Sequence, residues 1–229
     1  MAAVSADVGP LIGAVPVTGD DPGAIGTLSI SSLIPGVQNG DLVVIAASSD
    51  NWDIDGGSNP RTQPDGLVPA LRETEPGNAP GNGIWAFDYD SVNKSGIDFQ
   101  ASGASATSGY AISISVFRGF TSSGSQEARG SGTGSMPDPP SRAGVLATDL
   151  VIAAGMLDDD LVTDATAPSG YVLINSVAYE ESTVGAARST TMVAYKLPPQ
   201  TPGSENPAIF GGTGSDDWVA YTARFPESP

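Results

Sequence analysis

The chain has no cysteine and no histidine. Without cysteine there is no disulfide framework and no thiolate chemistry. Without histidine, Ser-His-Asp triads and imidazole-ligated zinc cannot be built. Lysine is scarce, with Lys94 and Lys196 the only two. Neither follows a glycine, so there is no phosphate-cradling P-loop. No G-x-S-x-G nucleophile elbow occurs either. Nine basic residues stand against 26 acidic ones, a net charge of −17. Nucleic-acid binding needs basic groups to neutralise phosphates, and anionic membrane surfaces need the same; the charge balance argues against both. No apolar run approaches the ~20 residues of a membrane-spanning helix. Met1 to Pro16 lacks the basic start of a signal peptide, so the sequence reads as a soluble protein made in a cytoplasm.

What is present is enough apolar material for a core, at 39% of residues with only 15% charged. Glycine (29) and proline (19) are abundant, which calls for many short elements joined by turns. The dominant pattern is internal repetition. Asp41 to Ala47 returns as Asp149 to Ala154, an offset of 149 − 41 = 108. Tyr110 to Phe117 returns as Trp218 to Phe225 at the same offset, and the block of Phe87 aligns with that of Tyr195. Pro64-Asp65-Gly66-Leu67-Val68 answers Pro168-Ser169-Gly170-Tyr171-Val172 at 104.

These blocks are short apolar runs or alternate with period two, as strands do. Strands are expected at Ile25–Leu33, Asp41–Ala47, Leu67–Arg72, Gly83–Tyr89, Ile97–Gln100 and Tyr110–Arg118. In the second half they are expected at Val145–Ala154, Tyr171–Tyr179, Thr190–Leu197, Ala208–Phe210 and Trp218–Phe225. No stretch has a helical period. The reading is an all-β, antiparallel sandwich, jelly-roll-like, built from two pseudo-repeated halves. Residues 1–24 form an extended arm or edge strand, 25–120 the first half, 121–142 a Ser/Gly/Pro-rich linker with an edge strand allowed at Gly130–Met136, and 143–229 the second half. One sandwich sharing a core is preferred to two tandem domains, because each half has few large apolar residues.

With these exclusions, carboxylate chemistry is what remains. Asp50, Asp53 and Asp55, with Asn51 between them and Gly56-Gly57 after them, offer several oxygens within one loop, as a hard cation such as calcium wants. The loop lacks the later bidentate Glu of an EF-hand, and a solvated acidic loop is the competing reading. Asp158-Asp159-Asp160 takes the corresponding place in the second half. Trp52, in the same first-half loop, is the candidate sugar-stacking residue, while Trp85 and Trp218 lie in strand blocks and read as core. Arg118 and Arg224 close the last strand of each half, where they can bond loop carbonyls or meet carboxylates at a subunit contact. No catalytic and no cofactor-binding residue is assigned.

The order Gly40-Asp41-Leu42-Val43-Val44-Ile45, Pro64-x-Gly66-Leu67-Val68, an aromatic strand at Gly83–Tyr89 and a strand ending Val116-Phe117-Arg118-Gly119 resembles a group of tailed-bacteriophage structural proteins. Their second, similar half is matched by Asp149–Ala154, Pro168–Ile174, Val193–Lys196 and Trp218–Phe225. Leu67 and Tyr171 stand where that family carries Trp. The resemblance implies a β-sandwich on the virion and transfers no catalytic residue. It leads to the expectation of a non-enzymatic capsid decoration (cement) protein that contacts the major capsid protein and itself, a trimer among the candidate assemblies, with Ser113 and Ser115 on a face packed against another subunit. The alternative is a tail-fibre or receptor-binding module for host surface glycan, centred on Trp52.

Overall fold

The computed structural model describes residues 10–19, 26–49, 69–74, 81–99, 109–158, 161–180, 188–214 and 216–229. Each sequence half builds one complete antiparallel five-stranded sheet. The first contains β1 (Leu11–Gly19), β3 (Leu42–Ser49), β4 (Pro69–Thr74), β5 (Gly81–Asp88) and β7 (Tyr110–Phe117), in the order β1-β7-β3-β5-β4. The second contains β8 (Gln126–Gly132), β10 (Leu150–Asp158), β11 (Val172–Glu180), β12 (Arg188–Lys196) and β14 (Trp218–Phe225), in the order β11-β12-β10-β14-β8. Read from the other edge, the second order repeats the first strand for strand. The all-β antiparallel sandwich expected from the sequence is the fold observed, and its two sheets share one core.

That core lies between the sheets. Leu42, Val44 and Ala46 of β3, Ile84 of β5 and Phe117 of β7 meet Leu150, Ile152, Ala154 and Met156 of β10, Val193 of β12, and Val219, Tyr221, Ala223 and Phe225 of β14. Phe117 and Tyr195 cross the gap edge to face, ring centroids 5.7 Å apart, a favoured aromatic geometry. β3 faces β10 and β12, β7 faces β12 and β11, β1 faces β11, and β4 faces β8. Central strand lies over central strand and opposite edges coincide. A pseudo-twofold axis running along the strands, between β3 and β10, relates the halves.

Alternate residues of a strand point to opposite faces, so the odd members of β3 and the even members of β7 need separate cover. It comes from β2 (Gly26–Ser29), paired with β6 (Gly96–Phe99), and a single helical turn, α1 (Ile30–Leu33). Ile30 and Ile34 pack there on Val43, Ile45, Trp85, Phe87, Ile112 and Ile114. On the second sheet β9 (Arg142–Val145) and β13 (Gly203–Glu205) form the corresponding pair, over a cluster with Val151, Ala153, Met192, Phe210 and Trp218. All eight residues of β7 are therefore buried.

Several differences from the sequence reading have physical causes. Of the two readings given for 1–24, arm or edge strand, residues 11–19 take the second, at the edge of the first sheet beside β7; 1–9 and 20–24 lie outside the described residues. The span 121–142 contains β8, an edge strand of the second sheet at 126–132 rather than 130–136. The block Ile25–Leu33 breaks after Ser29 into α1, and Ala208–Phe210 is not a strand. The aromatic blocks repeat at 109, not 108. Val43 pairs with Phe87, whereas its repeat Val151 pairs with Lys196. Phe87 thus faces the outer cover and Tyr195 the central core, because one residue of slip reverses every side chain. Pro64–Val68, where the sequence shows the 104 offset, lie outside the described residues, but the same offset runs through the strands that follow: β-bulges fall between Pro69 and Leu71 and between Leu173 and Asn175, at the same place in both sheets.

Candidate functional site

β3 and β10 both start at the same end of the sandwich, and each start is set by an aspartate. In the first half Asp41 Oδ2 accepts the Gln38 N–H at 2.8 Å, while Asp41 N donates to Gln38 O at 3.0 Å. In the second, Asp149 Oδ2 accepts the Leu146 N–H at 2.7 Å and Asp149 N donates to Leu146 O at 3.2 Å. The same reciprocal turn thus presents a carboxylate to the last strand of each sheet. Arg118 grips Asp41 with two parallel bonds, Nε to Oδ1 at 2.9 Å and Nη2 to Oδ2 at 2.8 Å, and reaches Gly36 O at 3.0 Å. The hydrogen bonds it donates to Asp41 hold the Arg118 guanidinium above its already high ordinary pKa. Arg224 reaches Asp149 Oδ2 from within β14, Nη1 at 3.0 Å. The two arginines singled out in the sequence therefore meet carboxylates of their own chain, and one also bonds a loop carbonyl.

Charge-assisted bonds of this kind are the strong ones. Asp149 is fully buried and the Arg224 side chain 13% exposed, whereas the Arg118 side chain is 43% exposed. A third polar group, Asp88, accepts the Thr121 hydroxyl and the Ser122 N–H, both at 2.7 Å, fastening the crossing between the halves. On the cover of the second sheet, Glu205 receives Lys196 Nζ at 2.9 and 3.0 Å and the Tyr171 hydroxyl at 3.0 Å. Burial and the adjacent Glu205 raise the Tyr171 pKa well above its ordinary value.

Where the two halves meet at this end, Pro10, Arg118, Gly119, Phe120, Thr148, Pro198 and Glu227 line a half-open cleft of about 310 Å³. It combines apolar walls with one cation and one carboxylate on its rim. It reaches only the lower bound of ordinary ligand pockets.

Trp52 and Asp50, Asp53 and Asp55 fall outside the described residues, as do Asp159 and Asp160. β3 and β10 end at the far end of the sandwich, at Ser49 and Asp158, and Trp218 pairs with Leu157 there, bringing Asp217 to the same end. Among the described residues no three acidic side chains group as metal ligands would. Trp85 (3% exposed) and Trp218 (8%) are core residues, as read from the sequence. Ser113 and Ser115 are buried between the two sheets of one chain, not against another subunit. Asn175 Nδ2 donates to Ser113 Oγ at 3.0 Å and Ser115 Oγ to Val44 O at 3.3 Å.

They belong to a buried hydroxyl seam. Ser48 Oγ bonds Ser189 Oγ and, at 2.8 Å, Thr191 Oγ1, which donates to Ala111 O at 2.8 Å. The clue in the sequence was Ser-Thr-Thr inside an otherwise apolar strand block, at 189–191. A second unread device is the glycine set against an aromatic ring. Gly19 lies opposite Tyr110 and Gly132 opposite Trp218, and a Cβ would meet the Tyr110 hydroxyl at 2.5 Å and its ring at 2.8 Å on Gly19, and the Trp218 ring at 2.5 Å on Gly132. These are the same two positions of the repeat.

No protein-family model, no curated protein and no solved structure matches this chain.

Proposed function

We propose that the chain is a non-enzymatic structural protein of a tailed-phage virion, a capsid decoration protein that binds the major capsid protein and copies of itself. The reading starts from the resemblance carried by Gly40–Ala47, Pro64–Val68 and Ser113–Gly119 and by their second-half counterparts. The observation that carries it furthest is the duplicated scaffold. The buried carboxylates Asp41 and Asp149 fix strand ends through Arg118 and Arg224, and Glu205 is held by Lys196 and Tyr171. Two whole sheets share one core and leave paired edges, β1 with β11 and β4 with β8, along the flanks. Such a body is rigid and presents backbone edges to neighbours on both sides. Its net charge of −17 keeps it soluble before assembly and favours a basic docking surface.

Quantitative mass spectrometry of intact particles tests the proposal. The expected result is a copy number comparable to that of the major capsid protein. A handful of copies per particle, or none, would overturn it; a handful would point to the tail and to glycan binding at Trp52 as the next experiment.

A further inference from the structure

The turn that presents Asp41 contains Asn39-Gly40, and its repeat does not: Ala147-Thr148 stands in the same place before Asp149. Asparagine before glycine is the pairing most prone to spontaneous deamidation, because glycine has no Cβ to obstruct attack by its own nitrogen. The Gly40 nitrogen attacks the Asn39 side-chain carbonyl carbon and forms a C–N bond. The side-chain amide leaves as ammonia, carrying away the proton of the Gly40 nitrogen. One water then opens the five-membered imide to aspartate or isoaspartate. No oxidant, enzyme or cofactor is needed.

Asn39 is exposed, so water reaches it freely. Both reacting groups are nevertheless engaged. The Gly40 N–H donates to Tyr89 O at 2.9 Å. Asn39 Oδ1 accepts the Ser91 N–H at 2.8 Å, a contact spanning 52 residues of sequence. Attack requires the Gly40 amide to leave Tyr89 and the Asn39 side chain to turn from Ser91 toward its own backbone. We propose that Asn39 is a modification site, a deamidation centre gated by these two bonds, at which the chain ages from the Asp41 turn outward. The products bear on the clamp directly. Either one adds a carboxylate two residues before Asp41. Isoaspartate also lengthens the backbone by one carbon inside the turn held by Gln38 and Asp41, displacing the carboxylate that Arg118 grips. The second half carries the same clamp on a turn that cannot deamidate at this place. Ageing therefore loosens one half of a symmetric molecule and spares the other.

The test is peptide mapping of the full-length protein by mass spectrometry during incubation at neutral to mildly alkaline pH. It follows ammonia loss and isoaspartate at Asn39 in native protein, in protein held unfolded in denaturant, and in Ser91→Pro. Proline removes the N–H that binds Asn39 while suiting the second position of a turn. Native protein is expected to deamidate roughly ten- to a hundredfold more slowly than the unfolded chain, as two hydrogen bonds of ordinary net strength imply. Ser91→Pro is expected to be several-fold faster than native, with its circular dichroism unchanged. Hydrogen exchange of the Gly40 amide in the native protein measures, without any variant, the part of the native slowing due to the Tyr89 bond, since exchange needs that bond opened but not the one to Ser91. Equal rates in native and unfolded protein would overturn the proposal. So would a Gly40 protection factor larger than the native slowing, whatever the fate of the proline variant.

Discussion

At the scale of single residues the two halves solve one problem with unequal parts. Asp41 and Asp149 occupy equivalent turns, yet Arg118 sits just beyond its strand and Arg224 inside one. Position decides how much water each pair keeps. The Arg118 side chain is 43% exposed, so solvent screens part of its bond to Asp41; Arg224 and Asp149 have little such relief. Removing one partner of a buried pair leaves an uncompensated charge, at about 3–5 kcal/mol, whereas an exposed pair contributes about 0–1 kcal/mol. Arg224→Met is therefore expected to cost about 3–5 kcal/mol, leaving Asp149 charged and fully buried. Arg118→Met is expected to cost less, since solvent can replace the lost donors. Urea unfolding of both variants checks the order; equal losses would mean that exposure does not set the strength of these clamps.

At the scale of elements, strands were legible where the sequence is dense and apolar, and illegible where a partner decides. Asp41–Ala47 and Asp149–Ala154 announce β3 and β10 by their continuous apolar runs, because those strands are covered on both faces. The clean alternation of Tyr110–Phe117 also gave β7, but not its second cover, which α1, β2 and β6 supply from distant sequence. Register was beyond reach: the step from 108 to 109 between the β5 and β12 blocks changes no residue type, and only the pairing of Val43 with Phe87 and Val151 with Lys196 exposes it. β9 and β13 were missed because four and three residues of mixed polarity carry no period. What holds β13 down is chemical. Glu205 accepts from Lys196 and from Tyr171, and Tyr171 must stay neutral to donate. Its folded pKa lies above the unfolded value near 10. A raised pKa contributes stability in full below the unfolded value and loses it as pH climbs toward the folded one. Thermal stability should therefore fall above about pH 10, more steeply in the native chain than in Tyr171→Phe. Melting curves at rising alkaline pH provide the check, and parallel curves would refute the role given to this hydroxyl.

At the scale of the whole molecule, the question is whether two repeated halves behave as one body or two. A sequence of two similar blocks joined by a polar stretch fits either. The packing favours one, since the inward-facing residues of β3, β5 and β7 pack on β10, β12 and β14 of the other half. The hydroxyl seam adds direction to that contact. Apolar faces tolerate sliding, but Ser48, Ser189, Thr191 and Ala111 bond in one alignment only, and a misaligned seam would bury unpaired oxygens at about 1–3 kcal/mol each. Ile152 tests the coupling, because it is fully buried on the second sheet and faces the first. Ile152→Ala should cost about 2–5 kcal/mol, and that cost should be felt on both sides of the shared core. Hydrogen exchange resolves where it falls. In a single cooperative unit the slowest amides of β3, in the unmutated half, lose as much protection as those of β10, and calorimetry gives one transition with matching calorimetric and van't Hoff enthalpies. If the halves were independent, β3 would keep its protection while β10 lost it, and the calorimetric trace would split in two.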